Sequence, residues 1–318
     1  SVKGGISLEN TYLLKSKQAE KIYDKLRSLP IVDYHCHLSP KEIYEDKPFD
    51  NIGEMWLGGD HYKWRLMRTA GIDERYITGN ASWEEKFLKY AEALEFAAGN
   101  PLYHWSHMEL SMFFGIDTPL KSSTAAEIYK KANDRIREKA ISPRKLIKQS
   151  GVEALCTTDD ITDDLSYHKL ISEDKSFATK VLPSFRTDNL LLIKRDGYKD
   201  YINKLSDASG VAVSSLESLK AAVKNRLDFF CSRGCKFTDV GIPYFPDRIA
   251  DDVEAEAVFA NALAGKEVGD EAYSGFIGNM YLFLAGEYVK RNLVMQMHLA
   301  VYRNANSALF KSAGADCG

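Results

Sequence analysis

The chain has 318 residues, 45% hydrophobic and 27% charged, a balance that can bury a substantial core. Its 42 Lys and Arg against 45 Asp and Glu leave a net charge of −3, so no basic field marks a nucleic-acid or anionic-membrane binder. No apolar run nears the roughly 18 residues of a membrane span, and the opening Ser1-Val2-Lys3-Gly4-Gly5 is no apolar leader. Five cysteines, with Cys231 and Cys235 spaced C-x₃-C and no answering pair, point to reduced thiols in a cytoplasmic protein rather than a zinc ribbon.

Residues 8–29 read as a helix with Ala19, Ile22, Tyr23 and Leu26 on one face and Pro30 as its stop. Ile31-Val32-Asp33-Tyr34-His35-Cys36-His37-Leu38 follows as a short apolar strand ending in two histidines. Residues i and i+2 of a strand share a face, so His35 and His37 are expected side by side. Two neutral imidazoles so placed make half of a divalent-metal site, with zinc the favoured ion. The competing reading is a strand end with two satisfied histidines, although the chain has only 7.

From Ser39 to about Thr118 no strand pattern stands out. Helices are expected near 61–70, 82–98 and 104–114, the second opened by a capping box, Ser82…Glu85. The chain therefore divides into 1–38, holding the first helix and strand, a helical insertion at 39–118, and an alternating remainder at 119–318. In the remainder Thr124…Glu127 caps a helix to about Ala140, and Ser142-Pro143 opens a short one. Apolar runs recur at Val152–Thr157, Lys180–Phe185, Cys235–Val240 and Leu293–His298. Between them lie helices near 162–172, 187–205, 214–232, 251–264 and 272–290, and another starts near Asn304. This alternation argues for an α/β fold with a parallel sheet covered by helices.

Charged or ligating residues stand at the end of every run: His35 and His37, then Asp159 and Asp160, Arg186, Asp239, and His298 with Arg303 beyond. An α/β barrel places its active face at the carboxyl ends of its strands. Each residue also has a plainer reading. Asp159 and Asp160 can cap the next helix, Asp239 can open a turn, the arginines can be surface charges, and His298 can be a core histidine. Their recurrence in one structural position favours a shared site. Five runs do not close an eight-stranded barrel, so the expectation is an open sheet or a protein with part of its chain missing.

The stretches DYHCHLSPKEI (33–43), WLGGDHYKWRLMRTAGI (56–72), NPLYHWSHMELSMFFGI (100–116), TTDD (157–160), PSFRTDN (183–189) and QMHLAVYRNAN (296–306) resemble the uronate (glucuronate) isomerases of the amidohydrolase superfamily. The resemblance implies isomerisation of D-glucuronate to D-fructuronate and of D-galacturonate to D-tagaturonate. It also implies a distorted (β/α)8 barrel with the helical insertion beside its active face. It assigns a divalent metal, usually zinc, to His35 and His37, and it turns His61 and Tyr62 toward the sugar. Arg186, Asp239, His298 and Arg303 fall in the substrate site, and Asp160 joins them from the second strand end. A small uronate is then the partner of a homo-oligomer. The family pattern also implies a further C-terminal segment with the last strands and a metal-linked aspartate. A chain lacking it is expected to fold poorly and turn over near background.

Isomerising an aldose to a ketose requires proton removal at C2 and its return at C1 through an enediol, whose charge needs a metal, arginine or histidine nearby. Arginine gives the planar fork suited to the C6 carboxylate, with Arg186 placed before Arg303. Tyr62 can move a proton at the ring oxygen, and Asp239 is the strand-end carboxylate able to act as base. A metal-dependent hydrolase of the same superfamily, or an inactive fragment that only binds sugar, is the alternative.

Overall fold

The computed structural model describes residues 14–242, 244–299 and 304–315. Helix α1 (Lys17–Leu26) is followed by strand β1 (Ile31–Asp33), then by α2 (Pro40–Glu45), α3 (Ile52–Leu57), α4 (His61–Thr69), α5 (Trp83–Leu94), α6 (Pro101–Phe114), α7 (Ala125–Lys139) and α8 (Pro143–Gln149). Next come β2 (Val152–Cys156), β3 (Asp159–Asp160), α9 (Ser166–Glu173), β4 (Lys180–Leu182), β5 (Phe185–Arg186), α10 (Asp188–Leu191), α11 (Tyr198–Ser209) and α12 (Leu216–Ser232). The chain continues through β6 (Phe237–Ile242), α13 (Asp252–Leu263), α14 (Asp270–Lys290), β7 (Val294–Leu299) and α15 (Ser307–Ala313). Among the described residues no helix is long and apolar enough to cross a membrane.

Contacts divide the chain into two compact units. The helical unit takes Ser1–Pro30, Asp46–Gly151 and Tyr302–Gly318, and the sheet unit takes Ile31–Glu45 and Val152–Val301. The helical body thus runs through α8 instead of stopping near 118. Its core gathers Trp56, Met67, Phe87, Tyr90, Leu110, Phe114, Ile128 and Ile136 from α3 to α7. The capping box opens α5 as the sequence implied, with Ser82 N–H donating to Glu85 Oε2 at 2.9 Å. Thr124 behaves otherwise. It makes no side-chain cap on α7, because its hydroxyl donates to Pro119 O at 2.7 Å. The first helix begins at Lys17 behind Ser16, not at residue 8, and residues 8–13 lie outside the described residues.

In the sheet unit β1, β2 and β4 form one parallel ladder and β3, β5, β6 and β7 another. The two are joined along the chain. Thr157 N–H donates to Leu182 O at 3.0 Å and Asp159 N–H to Ser184 O at 3.3 Å, bridging the gaps between β2 and β3 and between β4 and β5. The strands therefore follow one another in sequence order, all parallel, with helices on the connections. The helix expected over 187–205 is two, α10 and α11, because Leu192 leaves helical geometry (ψ 55°) and Gly197 takes φ 74°.

The pleat decides what the site can contain. Phe185, Val240 and Ile242 are buried in the core, and Met295 and Met297 pack against it. Alternation then turns Arg186, Asp239, Gly241, Gln296 and His298 to the opposite face. Pairing sets them in rows: Asp160 beside Arg186, Arg186 beside Asp239, Asp239 beside Gln296, and Gly241 beside His298. β6 lies two residues later than the apolar run suggested, so Asp239 is a mid-strand residue.

Candidate active site at the carboxyl ends of the strands

The first strand ends at Asp33, so His35 and His37 do not project from it; they occupy the loop that follows. That loop is tied down. Cys36 N–H donates to Cys156 O at 2.9 Å, and Thr158 Oγ1 donates to Cys36 O at 2.8 Å. The two imidazoles stand edge-on at 5.0 Å and 87° instead of side by side. His35 turns toward β7, its ring 4.5 Å from that of His298.

Asp239 is the centre of the group. Its side chain is 1% exposed, yet neither carboxylate oxygen accepts a hydrogen bond. Arg186 Nη1 lies 3.3 Å from Oδ2, and His298 Nδ1 lies 2.6 Å from Oδ1 without hydrogen-bond alignment. His35 Nδ1 is also buried and without a partner. One ligand atom each from His35, Asp239 and His298 lies within 4.8 Å of the others. Buried carboxylates are rarely left unsatisfied, and two imidazoles with one carboxylate suit a divalent first-row ion. The donor set fits a metal.

His37 falls outside this trio. Burial, and then the neighbouring His35 and Arg186, hold its imidazole below the ordinary range, which favours the neutral form. A cavity of about 470 Å³ opens beside the trio, lined by Asp33, Tyr34, His35, Gln296, Met297 and His298.

The other predicted residues stand as follows. Arg186 gives Nε and Nη2 to Asp188 at 2.9 and 3.2 Å, so half of its fork is already engaged. Asp160 accepts from Thr162 N–H and Oγ1, from Asn189 Nδ2 and from Tyr201 OH, at 2.7 to 3.3 Å. These bonds fix its orientation at the end of β3. His61 and Tyr62 lie on the first turn of α4 in the helical unit, behind the N-cap Asp60, with Tyr62 58% exposed. Arg303 lies outside the described residues.

A second histidine–aspartate group escaped the sequence reading. Thr157 Oγ1 bonds Asp159 Oδ2 at 2.7 Å and His168 Nε2 at 2.8 Å, and all three residues are buried. Burial raises the Asp159 carboxyl to about 7 and lowers His168 to about 4, so both are neutral between those values. Asp188, Gly241 and Gln296 were missed too. Register with Asp239 was the signal for Gln296, and it cannot be drawn until β6 and β7 are aligned.

Parallel strands in sequence order, carrying a metal-capable histidine–aspartate group on the face away from the core, define an α/β protein with the active-face layout of a metal-dependent enzyme. A glucuronate isomerase family model matches residues 6–318. The chain is 46% identical to the uronate isomerase of Endomicrobium trichonymphae over 98% of its own length and 67% of the relative's, and 45% identical to that of Lachnospira eligens over the same shares. The uronate isomerase structure from Thermotoga maritima superposes with a TM-score of 0.92 at 32% identity, covering 98% of this chain and 68% of that one. The glucuronate isomerase from Caulobacter crescentus gives 0.87 at 26%, covering 94% and 64%. The chain belongs to the glucuronate isomerase family, and it spans about two thirds of the length of these relatives.

Proposed function

We propose that the protein is a uronate isomerase, interconverting D-glucuronate with D-fructuronate and D-galacturonate with D-tagaturonate. The ring opens, a proton leaves C2, and one returns to C1 through an enediol, with no net oxidation. The observation that carries this reading is Asp239, a buried carboxylate with both oxygens free of hydrogen bonds beside a guanidinium and an imidazole. Its oxygens, engaged by no hydrogen bond, are open to a substrate proton. Arg186 and His298 put donors where enediolate charge develops. Family membership supplies the substrate class.

His35, Asp239 and His298 would hold the divalent cation, with His37 beside them and zinc as the ion we favour. Bound there, the cation supplies Lewis-acid polarisation of a sugar oxygen. Arg186 is assigned to the substrate carboxylate. The roles of His61, Tyr62, Asp160 and Arg303 stand on the sequence motifs, with Tyr62 moving the ring-oxygen proton. We also read the parallel strands as an arc of a distorted (β/α)8 barrel, supported by their order and common direction. A cytoplasmic homo-oligomer is part of the same reading, and the free thiols of Cys36, Cys156, Cys231 and Cys235 agree with a reducing compartment.

The test is Asp239→Asn assayed with D-glucuronate. The expected result is a loss of about 10²- to 10⁴-fold in kcat with the circular-dichroism spectrum unchanged. A wild-type rate would remove Asp239 from the chemistry.

A further inference from the structure

Arg186 does not meet the site with a free fork. Its Nε and Nη2 donate to Asp188 at 2.9 and 3.2 Å, and Nη1 lies 3.3 Å from Asp239 Oδ2. Asp188 is itself held. Its Oδ1 also accepts from Gly241 N–H at 3.2 Å, and Gly241 sits two residues beyond Asp239 on the same face of β6. A Cβ at position 241 would stand 3.0 Å from that oxygen, inside ordinary contact range. The backbone at Gly241 is not left-handed, so what glycine gives here is room.

We propose that Asp188 is a positioning residue for substrate recognition, fixing the plane of Arg186, and that Gly241 is glycine to admit the Asp188 carboxylate. This rests on the reading of Arg186 as the contact for an anionic sugar. A guanidinium on a flexible stem has several rotamers, and a bidentate carboxylate selects one. Asp188 has two further effects. It occupies the Nε–Nη2 edge, so an incoming carboxylate meets the Nη1 end of the guanidinium and not the whole fork. It also offsets the charge of Arg186, which would otherwise pair more fully with Asp239. The Asp188 carboxylate bonds Arg186 and Gly241 and no member of the metal-capable trio, so it acts through the arginine.

Kinetics of the full-length protein with D-glucuronate and D-galacturonate provide the test. Asp188→Asn and Asp188→Ala are each expected to raise KM about tenfold or more while kcat falls less, since at least one charge-assisted hydrogen bond that orients the arginine is lost. Gly241→Ala should move KM the same way by crowding Asp188. Melting temperature and bound divalent metal should stay at wild-type levels in all three. In an Arg186→Gln background, Asp188→Ala should add nothing further to KM. The proposal is overturned if the Asp188 variants keep wild-type KM, if the effects of Arg186→Gln and Asp188→Ala multiply, or if KM rises only in step with lost metal or lost stability. If Arg186→Gln itself leaves KM unchanged, what fails is the assignment of Arg186 to substrate, and Asp188 falls with it.

Discussion

The sheet unit holds two histidine–aspartate groups, and they are built to opposite ends. In the first, Thr157 bridges Asp159 and His168 at 2.7 and 2.8 Å, and the Asp159 carboxylate also accepts from Ser184 N–H at 3.2 Å. Burial favours the neutral form of both titratable groups between about 4 and 7, so in that range neither offers a charge to an ion. In the second, Asp239 is equally buried but its oxygens accept nothing, His35 Nδ1 has no partner, and His298 is half exposed. Residue types are shared and the outcomes differ. A group whose members satisfy one another is structure, whereas one left with buried, unmet polar atoms has room for an ion or a substrate.

Activity should separate the groups most. His298→Ala removes a member of the open group and is expected to cost about 10²-fold or more in kcat/KM for D-glucuronate, in line with loss of a positioned donor. His168→Gln should change it less than about threefold once stability is matched. Comparable losses in both would erase the distinction.

Arg186→Lys comes next. It keeps a cation but loses the fork to Asp188 and one direction of approach to substrate, so kcat/KM should fall by on the order of tenfold to several hundredfold, equivalent to roughly 1.5–3 kcal/mol. Wild-type kinetics would make Arg186 a bystander and pass the carboxylate to Arg303.

Stability rather than activity sharpens the closed group, through pH. The His168 pKa is depressed on folding from 6.5 to about 4, so its contribution is present above 6.5 and is lost as pH falls toward 4. The Asp159 pKa is raised from 3.8 to about 7, so its contribution is present below 3.8 and is lost as pH rises toward 7. Between about 4 and 6.5 the folded pair binds one proton, on Asp159, and the unfolded pair binds one, on His168, so the two slopes cancel. Asp159→Asn leaves the histidine alone, and its stability relative to wild type should rise by about 1.4 kcal/mol per pH unit across that window. His168→Gln should fall by a similar slope. Urea titrations at several pH values read both, and parallel curves for all three proteins would show that the pair does not exchange its charges for burial.

Much of this was legible in the sequence, for physical reasons. Continuous apolar runs placed the starts of β2, β4, β6 and β7 within about two residues, since buried parallel strands need such stretches. The histidines at 35 and 298 and the carboxylate at 239 were found because each adjoined such a run. What stayed hidden depends on contact across the fold. That His35 pairs with His298 in place of His37 follows from β1 stopping at Asp33 and from how the loop after it is tied to β2. Asp160 was read as a substrate group, and the hydrogen bonds that Asn189 and Tyr201 bring to it from α10 and α11 were not visible in the sequence. Asp188 drew no role from the sequence, because its bidentate bond to Arg186 exists only in the fold.

The open group is proposed as a metal site, and the closed one is not. Elemental analysis of the purified wild type, His35→Ala, Asp239→Ala and Asp159→Asn after exhaustive dialysis tests it most directly. Close to one bound divalent ion per chain is expected in wild type and Asp159→Asn, and sharply less in His35→Ala and Asp239→Ala. Equal metal in all four proteins, or loss in Asp159→Asn alone, would contradict it.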